Sequence, residues 1–242
     1  RFSPPRPDFS VFVVPSGLTS AAGRPVPLLF QAIRYDGFDG PIELSLCDSE
    51  SGFSLQSPLI PPRQNRVRCT LTGPMNPSPQ PVPLVFKATA VISGKKVEHQ
   101  VCPADEWEQA FSYKHLVPAA EFLTLARRAW TPFAGCQVVG ELPVRLVPGQ
   151  STQLTIKTPV KIGEEFSYQL LDPPAGLVLE KTVREPGNLH LFFQTAPEAE
   201  KQVGLANNLI LEVIREVAAG NGKKTKTLVG YLPAIPFYIT KP

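Results

Sequence analysis

Residues 43–55, ELSLCDSESGFSL, have a counterpart in residues 167–179, SYQLLDPPAGLVL. Each copy is an alternating run of apolar and polar residues, then a turn beginning at an aspartate, a glycine, and a second short apolar run. Alternation with a period of two is typical of a β-strand that has one face in a core and the other in water. The two copies therefore predict the same strand–turn–strand unit twice in one chain.

Two further blocks repeat in the same order. Residues 65–74, NRVRCTLTGP, parallel residues 188–197, NLHLFFQTAP, and residues 82–92 parallel residues 205–217. The offset between the copies is nearly constant along the chain, and each copy covers about 100 residues, the usual size of an immunoglobulin-like sandwich. Three blocks in order indicate an internal duplication and predict two domains of one architecture.

The composition supports a strand-based fold. The chain has 242 residues, of which 43% are hydrophobic and 19% charged, as in globular proteins. Its 28 prolines make up about 12%, more than twice the usual ~5%. Proline breaks helix interiors and suits turns and sheet edges. Turn signals such as Asp36-Gly37 and Ser51-Gly52 separate the alternating runs.

We therefore expect an all-β chain of two tandem immunoglobulin-like β-sandwiches, at residues 1–102 and 138–242, joined by a packed, partly helical segment at residues 103–137. Residues 103–111, PADEWEQAF, have an early proline and acidic residues in what would be the first helical turn. Residues 118–126 could form a second helix or an extended strand. We expect the aromatic residues of this segment to pack between the domains; they are Trp107, Phe111, Phe122 and Trp130.

Charge and hydropathy exclude several classes of partner. Basic and acidic residues are nearly balanced, with a net charge of +3. The chain has no arginine-rich run with interleaved aromatic residues, which is the pattern that would predict nucleic-acid binding. No apolar stretch approaches the ~18 residues of a membrane-spanning helix, and we expect no membrane insertion. No signal peptide is evident, and the opening RFSPPRP is interpreted as an interdomain linker.

The four cysteines do not form C-x-x-C pairs, which argues against zinc-ribbon and thioredoxin-like sites. Cys69 alternates with apolar neighbours and is predicted to face a core, whereas Cys47 is expected to face outward or to end its strand. The sequence leaves open whether Cys102–Cys136 or Cys47–Cys69 forms a disulfide.

Two stretches resemble a known bacterial extracellular family: residues 34–44, RYDGFDGPIEL, and residues 103–106, PADE, with residues 115–119, HLVPA. The family contains large multidomain proteins with pre-peptidase C-terminal-type β-sandwich domains and immunoglobulin-like repeats, some alongside subtilisin-like proteases. The resemblance covers residues 7–125 and implies export and a non-catalytic accessory role. It transfers no binding residue to this chain.

Aromatic residues at turns suggest one kind of binding site. Tyr35, Phe38 and Trp107 could form a platform on which sugar rings stack. Phe38 could equally cover the end of a sandwich.

His115 is the remaining candidate. A serine-hydrolase hypothesis would combine it with Asp105 and Ser112, but there is no G-x-S-x-G elbow. A metal site would draw on an acidic set that no recognised ligand spacing supports; the set is Asp105, Glu106, Glu108, His115 and Glu121. Paired carboxylates for glycoside hydrolysis have their best candidates in Asp172 and Glu180, and turn formation explains Asp172. We expect no catalytic residue, no metal ligand and no cofactor.

The function that these observations favour is a structural, adhesive or protein-interaction module of a larger exported bacterial protein, secreted or in the cell envelope. Its expected partners are neighbouring domains of the same polypeptide and another protein or a polysaccharide. A carbohydrate-binding accessory module of a secreted hydrolase is the first alternative. An enzyme with a site near His115, where the domains join, is the second.

Overall fold

The computed structural model describes residues 4–47, 51–110, 113–129, 133–160, 162–218 and 224–241. The chain is 61% strand and 3% helix, which confirms the all-β prediction. Among these described residues there is one helix, the six-residue 3-10 helix Pro197–Gln202, and none that is suited to crossing a membrane. Two compact units are present, one of Arg1–Ala22 with Leu28–Arg128 and one of Gly23–Pro27 with Ala129–Pro242.

The described residues of the first unit form thirteen strands, of which the third begins at Pro25, just before the unit's second stretch. In chain order they are β1 (Asp8–Val14), β2 (Gly17–Ala21), β3 (Pro25–Tyr35), β4 (Ile42–Leu46), β5 (Ser54–Gln56), β6 (Leu59–Ile60), β7 (Arg66–Thr72), β8 (Val82–Leu84), β9 (Phe86–Ile92), β10 (Lys95–Gln100), β11 (Cys102–Gln109), β12 (Tyr113–Pro118) and β13 (Phe122–Arg127).

These strands form three sheets. One has six strands in the order β12-β11-β1-β3-β7-β5, one has four in the order β10-β9-β4-β6, and a small one has the order β2-β13-β8. β1 pairs with β3 in the antiparallel sense and with β11 in the parallel sense. The six-stranded sheet is therefore extended beyond β1 by a hairpin made of β11 and β12.

The core of this unit lies between the six-stranded and four-stranded sheets. Every second residue of β1 is buried, as the alternation predicts. Phe30 of β3 meets Phe86 of β9 edge-on, with ring centroids 5.5 Å apart, and Phe86 meets Phe122 of β13 in the same way at 5.1 Å. Interlocked rings from all three sheets thus close one apolar interior.

The described residues of the expected helical segment contain three strands and no helix, and the strands β11, β12 and β13 belong to the first unit. The prediction of a helical turn at residues 103–111 is wrong, because residues 102–109 form β11 along β1, where Pro103 and Ala104 are buried. Pairing with an available sheet edge overrides a local helical signal. Residues 118–126 adopt the extended alternative, with Phe122 buried in the core. Trp107 is exposed, and Phe111 and Trp130 lie outside the described residues.

The second unit has nine described strands. They are β14 (Gln137–Val139), β15 (Val144–Leu146), β16 (Ser151–Lys157), β17 (Phe166–Leu171), β18 (Leu177–Glu185), β19 (Asn188–Thr195), β20 (Ala206–Ala218), β21 (Lys224–Tyr231) and β22 (Ile235–Ile239). One sheet has the order β14-β16-β19-β18 and the other β15-β22-β20-β17, with β21 also pairing with β20. Their inward residues form a second apolar core, separate from the first.

The segments aligned by the internal repeat occupy equivalent places in the two units. In the first unit β4 lies next to β9, and in the second unit β17 lies next to β20. The strands β7 and β19 each lie inside the other large sheet of their unit. Both repeat glycines have a positive φ, +72° at Gly52 and +81° at Gly176. A Cβ on Gly52 would lie 3.0 Å from Pro74, and one on Gly176 would lie 3.3 Å from Ala196. The repeat therefore preserves a close approach between the same two parts of each unit.

All four cysteines are free thiols in the structure. Cys69 is buried and Cys47 is exposed, as the alternation predicts. Burial raises the pKa of the Cys136 thiol to about 12, so this thiol stays protonated at neutral pH.

Candidate functional site

The structure does not bring the aromatic residues predicted as a sugar platform together. Phe38 is only 5% exposed, with its ring centroid 5.5 Å from that of Phe9. It therefore closes the end of the core, which was the alternative interpretation of this residue. Tyr35 is 44% exposed on β3, and its hydroxyl lies 3.0 Å from the Ser10 hydroxyl on β1.

Trp107 and His115 are paired across the β11–β12 hairpin. Because side chains alternate along each strand, the face that carries Trp107 and His115 also carries Tyr113 and Val117. The exposed fractions are 61% for Trp107, 78% for Tyr113 and 39% for Val117. We call this surface the aromatic face of the hairpin: Trp107, Tyr113, His115 and Val117. Sequence reasoning missed Tyr113, although its spacing from His115 and Val117 is the strand signal that would have placed it here.

β12 is the outermost strand of the six-stranded sheet, and no strand among the described residues pairs with its other side. The Ala119 N–H donates to the Pro103 carbonyl at 2.8 Å, which makes the pair of Ala104 and Pro118 a non-hydrogen-bonded one. Hydrogen-bonded and non-hydrogen-bonded pairs alternate along an antiparallel ladder, so Leu116 and Lys114, two and four residues before Pro118, also belong to non-hydrogen-bonded pairs. Their backbone N–H and C=O groups therefore point away from β11, toward the open edge.

The opposite face of the hairpin borders a cleft of about 290 Å³. Phe12 of β1 pairs with Gln31 of β3 on one side and with Cys102 of β11 on the other. Paired residues point to the same face of a sheet, so Gln31 lies on the face that carries Cys102 and every second residue after it on β11, including Glu106. The cleft is lined by residues from β3, β7, β11 and β12: Leu29, Gln31, Arg66, Arg68, Glu106, Lys114, His115 and Leu116. Three of these are cationic and one is a carboxylate.

The charges in the cleft interact with one another. Lys114 Nζ donates to Glu106 Oε1 at 3.1 Å. This hydrogen bond, together with the Glu106 and Glu108 charges, raises the pKa of Lys114, while the nearby Arg66 charge acts in the opposite direction. Arg66 of β7 is thus close enough to Lys114 for their charges to repel, although β7 and β12 are not neighbours in the sheet.

Gln31 supplies an unsatisfied donor at the same place. Its side-chain Nε2 is buried and has no hydrogen-bond partner within the described parts of the chain. Because leaving a buried donor unsatisfied costs about 1–3 kcal/mol, such a group favours a ligand that brings an acceptor.

Asp105, which was weighed for both catalysis and metal binding, has a hydrogen-bond partner of its own. The Asp105 carboxylate is bound by Ser16, whose N–H donates to Oδ1 at 3.0 Å and whose hydroxyl donates to Oδ2 at 2.8 Å. Ser112 lies outside the described residues. Glu106 and Glu108 lie on the opposite side of β11 from Asp105, and no group of three His, Cys, Asp or Glu side chains in the described ranges could hold a metal ion.

Asp172 belongs to a turn. Its φ of +44° lies in the left-handed region, which aspartate tolerates better than most residues. Glu180 lies on β18, at the bulge between Leu179 and Lys181.

Comparison with known proteins finds no matching family model and no matching curated protein. Among solved structures, the chain is similar to a protein of unknown function from Porphyromonas gingivalis, with a TM-score of 0.25, 13% identity, and coverage of 96% of this chain and 98% of the other. It is also similar to tandem immunoglobulin domains of titin, with a TM-score of 0.22, 13% identity, and coverage of 98% and 97%. At these TM-scores neither likeness bears on the function of the chain.

Proposed function

We propose that the chain is a non-catalytic protein-interaction module of a larger exported bacterial protein, made of two tandem immunoglobulin-like sandwiches. Strand order supports the immunoglobulin-like assignment. Immunoglobulin domains have strands ABED in one sheet and CFG in the other. The orders β1-β3-β7-β5 and β10-β9-β4 fit this scheme in the first unit, and β14-β16-β19-β18 and β22-β20-β17 fit it in the second.

The module's partner is an extended protein segment that adds a strand to β12. The observation that carries this proposal is the open edge of β12, where Lys114 and Leu116 direct backbone groups outward next to the exposed aromatic face. In this mode of recognition, backbone hydrogen bonds supply affinity and side-chain contacts supply specificity. Pro118, which has no N–H, stands at the last outward position, so the open edge has a defined end.

The other edge strands of the first unit are protected. β5, β6 and β8 have only two or three residues. β10 carries Lys95, Lys96 and Glu98, and β2 ends in the buried residues Ser20 and Ala21. Short length and charge are the usual means by which proteins keep edges from pairing. β12 has six residues and one lysine, whose ammonium group is held by Glu106.

The edges of the second unit are protected in similar ways. β14 and β15 have three residues each, and β18 is bulged between Leu179 and Lys181. The Arg184 guanidinium donates to the carbonyl of Phe166 on β17, and Lys226 lies on β21. Bulges and charges on edges oppose pairing. The contrast with β12 supports that strand as the interaction edge.

Selection from a displayed library of random short peptides tests this function. Leu116→Pro removes an outward N–H from β12 without removing a bond to β11. Gln100→Pro is the matched control, because the Val101 N–H bond to the Phe86 carbonyl gives Gln100 the same outward orientation on β10. We expect selected peptides to bind the wild type and the Gln100→Pro variant alike, and to bind the Leu116→Pro variant at least about tenfold more weakly. Equal binding to Leu116→Pro, or failure to select any peptide, would contradict the proposal.

Carbohydrate binding is the second candidate, and the exposure of Trp107 and Tyr113 on one face favours it. Aromatic rings that present a flat surface to water suit stacking on sugars. A glycan array separates the two functions. Binding of a glycan that Trp107→Ala abolishes and Leu116→Pro leaves intact would replace the peptide function with this one.

A further inference from the structure

The outward groups of β12 restrict how two copies of this strand could pair with each other. Two identical strands that meet in the antiparallel sense are related by a two-fold axis, so every contact between them occurs twice. Lys114 and Leu116 direct their backbone N–H and C=O groups outward, where no strand among the described residues pairs with them. Pro118, the last outward residue, offers a carbonyl but no N–H.

One symmetric register uses every N–H and C=O group of the two outward residues. It sets Lys114 of one copy opposite Leu116 of the other, with the two-fold axis passing between the two copies of His115. Each of the two Lys114–Leu116 pairs then exchanges both of its N–H···O=C hydrogen bonds. The pairing covers residues 113–117 of both copies, which all belong to β12.

The neighbouring registers are less favourable. A shift by two residues in one direction sets Lys114 opposite Lys114 of the other copy, and like charges directly opposite each other are destabilising. The same shift in the other direction sets Lys114 opposite Pro118, whose missing N–H removes a hydrogen bond at two places. A shift by one residue sets outward residues opposite inward ones, which leaves their backbone groups unpaired.

The favoured register gives the aromatic face complementary neighbours. Tyr113 of each copy lies opposite Val117 of the other, and pairs of an aromatic with a β-branched residue stabilise sheets. His115 lies opposite its own symmetry copy, flanked on each side by Trp107, its partner on β11. Pairing would therefore cover aromatic surface that is exposed in the single chain, and burial of apolar surface favours association.

Charges on the opposite face of the hairpin also suit this register. Lys114 would lie in the seam between the two copies, with Glu106 and Glu108 of its own copy on the adjacent strand β11. Lys114 Nζ already donates to Glu106 Oε1 at 3.1 Å. Opposite Leu116 of the other copy, each lysine meets an apolar side chain and keeps this carboxylate partner.

We infer that a second copy of this chain docks at β12, so that the two six-stranded sheets join into one continuous sheet with its two-fold axis at His115. This inference rests on the proposed docking at β12 and names β12 of the second copy as the docked segment. An interface limited to one pair of strands and their side chains lies at the small end of the range for specific complexes. We therefore expect a dimer that dissociates on dilution.

Sedimentation velocity over a series of protein concentrations measures this association. We expect the wild type to shift from monomer to dimer between about 1 µM and 1 mM, and Leu116→Pro to weaken the association at least about tenfold. Gln100→Pro, which places proline at an outward position on β10, is the matched control and should associate like the wild type. Circular dichroism checks that both variants keep their strands.

Disulfide cross-linking tests the register without a proline. Facing residues of a non-hydrogen-bonded pair have Cα atoms about 4.5 Å apart, which a disulfide can span. In a Cys47→Ser background, which removes the exposed native thiol, His115→Cys should form a disulfide-linked dimer under mild oxidation. Lys114→Cys is the matched control, because its two copies would lie diagonally, roughly 7–8 Å apart. A mixture of Tyr113→Cys and Val117→Cys should cross-link, whereas neither variant should do so alone.

The remaining outcomes overturn the inference in distinguishable ways. A chain that stays monomeric, while selected peptides bind it and fail to bind Leu116→Pro, would leave docking at β12 standing and remove the second copy as its partner. A monomeric chain for which no peptide can be selected would remove the inference together with the docking that it rests on. A dimer that Leu116→Pro leaves intact, or that cross-links through Lys114→Cys and not through His115→Cys, would contradict the edge or the register.

Discussion

Arg34 binds the backbone carbonyl of Gln64 through two donors, with Nε at 3.1 Å and Nη2 at 2.8 Å. The same guanidinium donates to the carbonyls of Gly40 at 2.6 Å and Pro61 at 3.0 Å. It also lies over the Phe38 ring, 5.2 Å from its centroid. One side chain of β3 thus holds the turn that follows its own strand and the loop that precedes β7.

Replacement of Arg34 by methionine should destabilise the first unit. The change keeps most of the apolar stem but leaves three partly buried carbonyls without their charged donor, which we expect to lower the free energy of unfolding by about 2–4 kcal/mol. Urea unfolding followed by circular dichroism measures the change. Arg63→Met, at an exposed position in the same loop, is the control and should have little effect. A similar cost for both variants would contradict the role given to Arg34.

The repeat glycines provide a matched pair of tests. Gly52→Ala and Gly176→Ala should cost more stability than Gly94→Ala and Gly187→Ala. All four glycines have φ between +72° and +81°, but an added Cβ meets nothing within 4 Å at Gly94 and Gly187. A left-handed conformation alone costs an alanine about 1–2 kcal/mol, and the contacts at Gly52 and Gly176 add to that cost. Thermal unfolding midpoints of the four variants give the comparison, and equal shifts would contradict it.

Asp8 should make the stability of the fold depend on pH in the acid range. His99 Nε2 donates to Asp8 Oδ1 at 2.7 Å, and this hydrogen bond is the main reason that the pKa of Asp8 lies below its ordinary value of 3.8. A carboxyl with a depressed pKa stabilises the fold above its unfolded pKa and loses that contribution as the pH falls through the folded value. We expect the wild type to exceed Asp8→Asn in thermal midpoint above pH 3.8, and the difference to shrink as the pH falls below that value. A difference that grows toward acid pH would have the wrong sign.

Thiol labelling should distinguish the cysteines. Cys47 is exposed, whereas Cys69 is buried, donates to the Ser57 carbonyl at 3.3 Å, and has a pKa raised by desolvation. Because the thiolate is the reactive form, iodoacetamide at pH ~8 should label Cys47 in the native protein and Cys69 only after unfolding. Peptide mass mapping of the labelled chain identifies the sites. Cys47→Ser should remove the rapid label, and native labelling of Cys69 would contradict its burial.

The helical interpretation of residues 103–111 shows where local reasoning fails. The early proline and the acidic residues fit a helix N-terminus, but the same residues also fit an exposed strand. In the structure they form the strand β11, in which the consecutive residues Glu106 and Trp107 lie on opposite faces. The parallel pairing with β1 decided between them. Short segments with both patterns take the structure that an available sheet edge offers.

The candidate site was predictable only in part. Trp107 and His115 were singled out from the sequence, and they do face each other across a hairpin. Phe38, which the platform hypothesis combines with Tyr35 and Trp107, belongs to the core, because the turn after β3 directs it inward against Phe9. The sequence does not single out the basic residues Arg66 and Arg68, because nothing in it places β7 near β12.

The amino-acid sequence by itself determined that this chain is built of strands, that its architecture occurs twice, and that Cys69 points inward. Alternating burial and turn chemistry are properties of a few consecutive residues, so they can be read without knowing what the strand packs against. Only the tertiary structure decided that β11 joins β1, that β12 is the outermost strand of its sheet among the described residues, and that Arg66 and Lys114 line one cleft. Those outcomes depend on pairings between segments far apart in the chain, where the same local pattern is compatible with several neighbours and the closing of the core selects one.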